Sequence, residues 1–275
     1  MSTRLNLLTG PPCRRCAPPR NAILAGVLEA LTLGFLAVGS GHADILHCTG
    51  DEGYLVTVDQ SNGAAVWIGP SGLESTAAAW APSGELYGIM NWGDASGQLM
   101  TYNLSTGAGA PVGEPFGVSL MIALEISSNG TCYGGTWAYG SNLFRIDLAT
   151  GAATLIGSTG FDWLVDFAFD SRGVLWAVNP RDLWTIDTNT GASIHQATIT
   201  GTGPVGGIMF DATDVLYAID STPRSSLYTI DTSTGVATLV GNTRVFNARG
   251  GDFRNDRATP TQAPTWGQIK GKYRQ

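Results

Sequence analysis

Between residues 44 and 253 this 275-residue chain has no lysine. Six arginines stand there against twenty aspartates and glutamates, a formal charge of −14. A surface so poor in cations repels phosphate backbones and anionic headgroups, which argues against nucleic acid as a partner. Histidine is almost as scarce. His42, His47 and His195 are the only three and are spread along the chain, so neither a Ser-His-Asp triad nor a histidine metal set can be drawn from them. No window shows a sustained 3.6-residue apolar period, which excludes helical bundles and helical solenoids. Long apolar runs are also missing, with one exception: "AILAGVLEALTLGFLAV", residues 22–38, which is short for a membrane span.

That exception has flanks of a particular kind. Arg4, Arg14, Arg15 and Arg20 precede it, and the small residues of "GSGHA" follow it before Asp44. A basic stretch, an apolar stretch and a small-residue cleavage site make residues 1–43 a secretory signal peptide by expectation. The alternative is a retained membrane anchor. A lipidated "ILHC" fits poorly, because His47 is bulky and the apolar run ends well before it. Export places the mature chain outside the cell, in the periplasm or on the cell surface, with no membrane span. The C-x-x-C pair Cys13 and Cys16 leaves with the leader and is not read as a redox or zinc motif.

What is abundant is glycine, 37 residues of it, and it recurs in register. "LYTIDTSTGVATLVG" at 227 repeats as "LWTIDTNTGASIHQA" at 183, "LFRIDLATGAATLIG" at 143, "LMTYNLSTGAGAPVG" at 99 and "LVTVDQSNGAAVWIG" at 55. The opening leucines are Leu55, Leu99, Leu143, Leu183 and Leu227, and a spacing of about 40–45 residues is that of propeller blades or a related array. A second pair of strand-like runs lies between the copies: "TAAAWAPSGELYGIM" (76–90), "LMIALEISSNGTCYGGT" (120–136), "VDFAFDSRGVLWAVN" (165–179) and "GGIMFDATDVLYAID" (206–220). Four short strands per unit predict an all-β, five-bladed propeller over residues 44–253. The aspartates of D-x-x-T-G (Asp59, Asp147, Asp187 and Asp231, with Asn103 in the second copy) are read as turn formers and not as a catalytic series. The run "VFNARGGDF" (245–253) lacks its expected partner, and "DILHCT" (44–49) supplies one. The first blade would then join both ends of the domain and close the ring. Cys48 and Cys132 fall in blades one and three, too far apart for a disulfide.

The order "FD-x-x-G-x-LYA" followed by "LYTID-x-x-TG-xATLVG" resembles the secreted bacterial β-propeller repeats related to the YVTN and quinoprotein-like families. The resemblance covers residues 44–253 and implies that the "FD-x-x-G" strand is innermost and the "ATLVG" strand outermost. It assigns no function, and no quinone-binding motif accompanies it.

Uniform turns occupy one face of such a ring, and the loops that differ between blades occupy the other, where binding usually resides. The variable loops supply Asn91, Trp92, Asp94, Trp137, Tyr139, Asn142, Phe161 and Asp162 as candidate ligand-binding residues. Flat rings stack on sugar faces or grip a peptide, and the amides and carboxylates read polar groups. The competing reading folds these rings over the blades as loop cores, Trp163 above all. A second set, Glu125, Asp166 and Asp252, is expected on innermost strands from blades three, four and one. There it could line an acidic channel, bind a metal such as Ca²⁺, or act as an acid–base pair on a glycoside. No other cofactor is expected. Residues 254–275 read as a Pro/Thr linker and a short basic tail ending "WGQIKGKYRQ", a candidate attachment or sorting signal. Together these features describe a monomeric, exported, non-catalytic binding module for a glycan, peptide or protein surface. A glycoside hydrolase and a structural envelope protein are the alternatives.

Overall fold

A computed structural model describes residues 45–50, 53–72, 74–90 and 97–254. Residues 1–43, expected from sequence to be a signal peptide, the tail beyond Arg254 and the candidates Asn91, Trp92 and Asp94 lie outside the described residues. The described chain forms twenty strands and no α-helix. Blade 1 contains β1 (Ile45–Gly50), β2 (Tyr54–Asp59) and β3 (Ala65–Pro70). Blade 2 contains β4 (Ser75–Trp80), β5 (Leu86–Met90), β6 (Gln98–Tyr102) and β7 (Gly109–Val112). Blade 3 follows as β8 (Met121–Ile126), β9 (Cys132–Thr136), β10 (Asn142–Ile146) and β11 (Ala153–Ser158). Blade 4 is β12 (Asp166–Phe169), β13 (Leu175–Val178), β14 (Asp182–Ile186) and β15 (Ser193–Thr198). Blade 5 is β16 (Val205–Phe210), β17 (Leu216–Asp220), β18 (Ser226–Ile230) and β19 (Ala237–Asn242), and β20 (Ala248–Phe253) ends the domain.

Every blade is a four-stranded antiparallel sheet, and β20 pairs with β1 to complete the first. The fold is therefore the five-bladed all-β propeller expected from the repeat, closed by strands from both ends. The inner strands β20, β4, β8, β12 and β16 touch in that cyclic order. Burial falls outward along each blade: β4, β8 and β16 are buried at every position, whereas β3, β11 and β19 share a largely exposed pattern.

The apolar core is divided among the five junctions between blades. One cluster joins Leu55 to Trp80, Leu86 and Met100, across blades 1 and 2. Others join Ile89 and Leu99 to Met121 and Phe144, Leu143 to Phe167 and Leu175, Val178 to Ile208 and Phe210, and Ile219 and Leu227 to Val56 and Phe253. Each sheet buries both faces between its neighbours, so no blade has a core of its own.

The turns follow their predicted chemistry. Asp147 Oδ1 accepts from the amides of Ala149 at 2.8 Å and Thr150 at 3.0 Å, and Gly151 closes the hairpin at φ +71°. The same glycine has a second task. The turn glycine of one blade lies against the outer strand of the blade before it, as Gly191 does against Gly157 and Gly63 against Gly241. A Cβ on Gly191 would lie 2.8 Å from backbone atoms of Gly157. The last glycine of "ATLVG" thus lets two backbones approach, and this explains why turn and strand end repeat together. Cys48 in β1 and Cys132 in β9 are buried free thiols with blade 2 between them.

Candidate functional site

The loop 136–141 of blade 3 and the crossing 159–165 into blade 4 lie on the variable face and are held together by a compact set of bonds. Thr159 donates to the Ser141 carbonyl through its amide and its hydroxyl, both at 2.9 Å. The Ser141 amide donates to Phe161 O at 3.1 Å, and Ser141 Oγ accepts from the Leu164 amide at 3.1 Å. The Trp163 backbone amide donates to Ala138 O at 3.0 Å, and the Trp137 backbone amide to Leu120 O at 2.9 Å. Trp163 and Leu120 both occupy the left-handed region, at φ +59° and +57°. Bulky residues avoid that region, so the two loops impose it.

Three rings meet on this frame. Trp137 and Trp163 lie 4.5 Å apart between centroids, and Tyr139 meets Trp163 at 4.4 Å with the rings steeply inclined. Tyr139 is 78% exposed and the two indoles are half-buried. Asp162, at the edge of the cluster, accepts the Gly140 amide on Oδ1 at 2.7 Å. Asn142 is half-buried. Its side chain donates to Gly140 O at 3.2 Å and its amide to Thr136 Oγ1 at 3.0 Å. Trp137, Tyr139, Asn142 and Asp162 are therefore brought together.

Phe161 departs from the expectation. It is buried in the junction between blades 3 and 4 and stacked on Trp184 at 4.7 Å and 11°. Trp163, expected to be the buried ring, is only half-buried and packs in the surface cluster with Trp137 and Tyr139. The physical reason is the clasp itself: residue 161 points into the seam below it, and the left-handed turn at 163 lifts the next ring outward. An internal comparison carries the signal. "TGFDWL" (159–164) aligns with "TRVFNA" (243–248), and Val245 is fully buried at the Phe161 position.

The channel carboxylates are on the predicted strands, but each reaches the neighbouring blade. Asp252 Oδ2 accepts the Trp80 amide at 2.9 Å, from blade 1 to blade 2. Glu125 Oε1 accepts the Phe169 amide at 3.4 Å, from blade 3 to blade 4, and Asp166 Oδ2 the Ile208 amide at 3.0 Å, from blade 4 to blade 5. Burial drives the Asp166 carboxyl well above its ordinary value, against the bond from Ile208, and the nearby Asp252 charge adds to the rise. Glu125 and Asp252 are 7% exposed and Asp166 2%. Among the described residues, no three His, Cys, Asp or Glu side chains are placed to share one metal ion. In this geometry each of the three carboxylates stitches its inner strand to the next blade.

No protein-family profile and no curated protein matches the chain. Among solved structures, the chain is similar to one from a nidogen/laminin complex, with a TM-score of 0.52 and 9% identity over 76% of this chain and 97% of that one. It is also similar to a symmetrical protein from work on de novo evolutionary emergence, with a TM-score of 0.51 and 16% identity over 74% and 96% of the two chains. A third is a gluconolactonase from Xanthomonas campestris, with a TM-score of 0.50 and 13% identity over 76% and 79%. Likeness at such low identity is a likeness of fold alone: this chain is a five-bladed β-propeller.

Proposed function

We propose that the chain is an exported, non-catalytic binding module that takes its ligand on the variable face at Trp137, Tyr139 and Trp163. The observation that carries this reading is a three-ring cluster mounted on a strained, hydrogen-bonded loop pair, with its outermost ring almost fully in solvent. Partly exposed rings held in fixed positions cost little entropy on binding and present flat apolar faces. A sugar ring fits such a surface, with Asp162 and Asn142 beside it to meet hydroxyls. The nidogen/laminin structure comes from a protein–protein complex, so a protein surface is the second class to test.

A glycan array with the native chain and Trp137→Ala is the direct experiment. Binding that falls at least tenfold in the variant supports the reading. Equal binding by both would refute the location. A glycoside-hydrolase reading predicts instead turnover that disappears in Asp166→Asn. The same panel, assayed for released sugar, separates the two. Export is tested by expressing the full chain and sequencing the amino terminus of the secreted product.

A further inference from the structure

We infer a second ligand site, for a small carboxylate-bearing molecule with a flat or apolar body, at the seam between blades 5 and 1. A cleft of about 440 Å³ there is lined by Trp67, Pro223, Arg224, Arg244 and Phe246. Only six arginines serve residues 44–253, and two of them share this cleft. Neither is in an ion pair with a described carboxylate, whereas Arg172 is paired with Asp170. Trp67 is 48% exposed and Phe246 43%. Two guanidinium groups beside two open rings suit a carboxylate and the apolar face next to it, because the guanidinium fork matches a carboxylate's two oxygens.

The backbone supplies an independent argument. The loop 243–247 repeats the clasp of blade 3: Thr243 donates to Ser225 O at 2.9 Å from its amide and 2.7 Å from its hydroxyl, and Ser225 Oγ accepts the Ala248 amide at 2.9 Å. Ser71 makes the corresponding pair of bonds to Gly53 O, both at 2.7 Å. The residue after the clasping hydroxyl is Gly72 at φ +81° in one copy and Gly160 at φ +78° in another, but Arg244 at φ +62° in this one. Glycine is the residue that geometry favours. An arginine held there is strained by the fold, and it lines the same cleft as Arg224. Glycine would serve the turn better, so an arginine at this position is what a recognition role would select.

The acidic surroundings define the ligand further. A net charge of −14 disfavours densely charged polyanions, so a ligand with no more than one carboxylate per sugar unit is favoured over a polyphosphate, and two exposed rings favour a sugar acid. The probe is trigalacturonate, with galactotriose as its neutral counterpart and inorganic phosphate and hexaglutamate as anionic controls. Titration followed by Trp fluorescence is run on the native chain, Arg244→Gly, Arg224→Gln and Trp137→Ala, with a melting curve for each.

Trigalacturonate is expected to bind, galactotriose at least tenfold more weakly, and both arginine variants to lose at least tenfold. Arg244→Gly should melt no lower than the native chain, since glycine relieves the strain, and this separates recognition from folding. Trp137→Ala should leave trigalacturonate binding unchanged, so failure of the blade 3 site and failure of this one are distinguishable. The inference is overturned if trigalacturonate does not bind, or if Arg244→Gly binds it normally or melts lower. Tighter binding of hexaglutamate or phosphate than of the sugar acid would overturn the ligand class.

Discussion

Gly191 and Gly173 allow one structural claim to be tested cleanly. Both are turn glycines of blade 4, at φ +81° and +78°. They differ in their surroundings: a Cβ on Gly173 meets nothing within 4 Å, whereas on Gly191 it would lie 2.8 Å from the backbone of Gly157 in blade 3. Alanine at either site carries the left-handed penalty, about 1–2 kcal/mol. At Gly191 it also forces two backbones apart, and overpacking of this kind costs about a further 1–3 kcal/mol. For a domain of this size each kcal/mol lowers the melting temperature by about 2–4 °C. Gly173→Ala should therefore melt about 2–8 °C below the native chain, and Gly191→Ala about 4–20 °C below it. Scanning calorimetry of the three proteins measures the difference between the variants, which isolates the contact between blades. If Gly191→Ala melts at or above Gly173→Ala, glycine is not needed there for close approach, and the account of the repeated glycines fails.

Other outcomes follow from the same geometry. Replacing Asp166 by alanine orphans the buried Ile208 amide and should cost about 1–3 kcal/mol, while asparagine keeps an acceptor there and should cost less, as calorimetry of both variants would establish. The Asp166 carboxyl is raised, so the folded state holds its proton above 3.8, where the unfolded chain releases it. Its contribution to stability therefore declines as pH climbs from 3.8 through the raised native value, and Asp166→Asn should flatten that part of a melting-temperature profile; parallel profiles would contradict the assignment. Burial pushes the Cys48 thiol up to about 12 and the Cys132 thiol higher still, so a chain beginning at Asp44 should resist a thiol-reactive disulfide until denatured. Trp163→Gly relieves a left-handed residue and should hold or raise the melting temperature while weakening ligand binding, a pairing that a loop-core role for Trp163 does not produce.

The sequence alone determined the blade number, the strand order and the closure, and the reason is repetition. A local code of Asp–Gly turns and alternating strands, written five times, leaves one ring as its solution. Even the aberrant fourth copy, "LWTIDTNTGASIHQA", kept its turn through Asp187, whose Oδ1 accepts the Asn189 amide at 2.8 Å. Tertiary structure decided what the non-repeating residues do. Phe161 and Trp163 are two positions apart in a loop, and their exchange of roles depends on a clasp to Ser141, a residue of the preceding hairpin. Glu125, Asp166 and Asp252 look in sequence like a converging acidic set, yet each finds an amide on the next blade, a partner that only the ring geometry supplies. Arg224, Arg244 and Trp67 share no motif, and they share a cleft only because the chain ends meet. Contacts within a hairpin are legible from spacing; contacts across a seam depend on which blade comes to lie beside which.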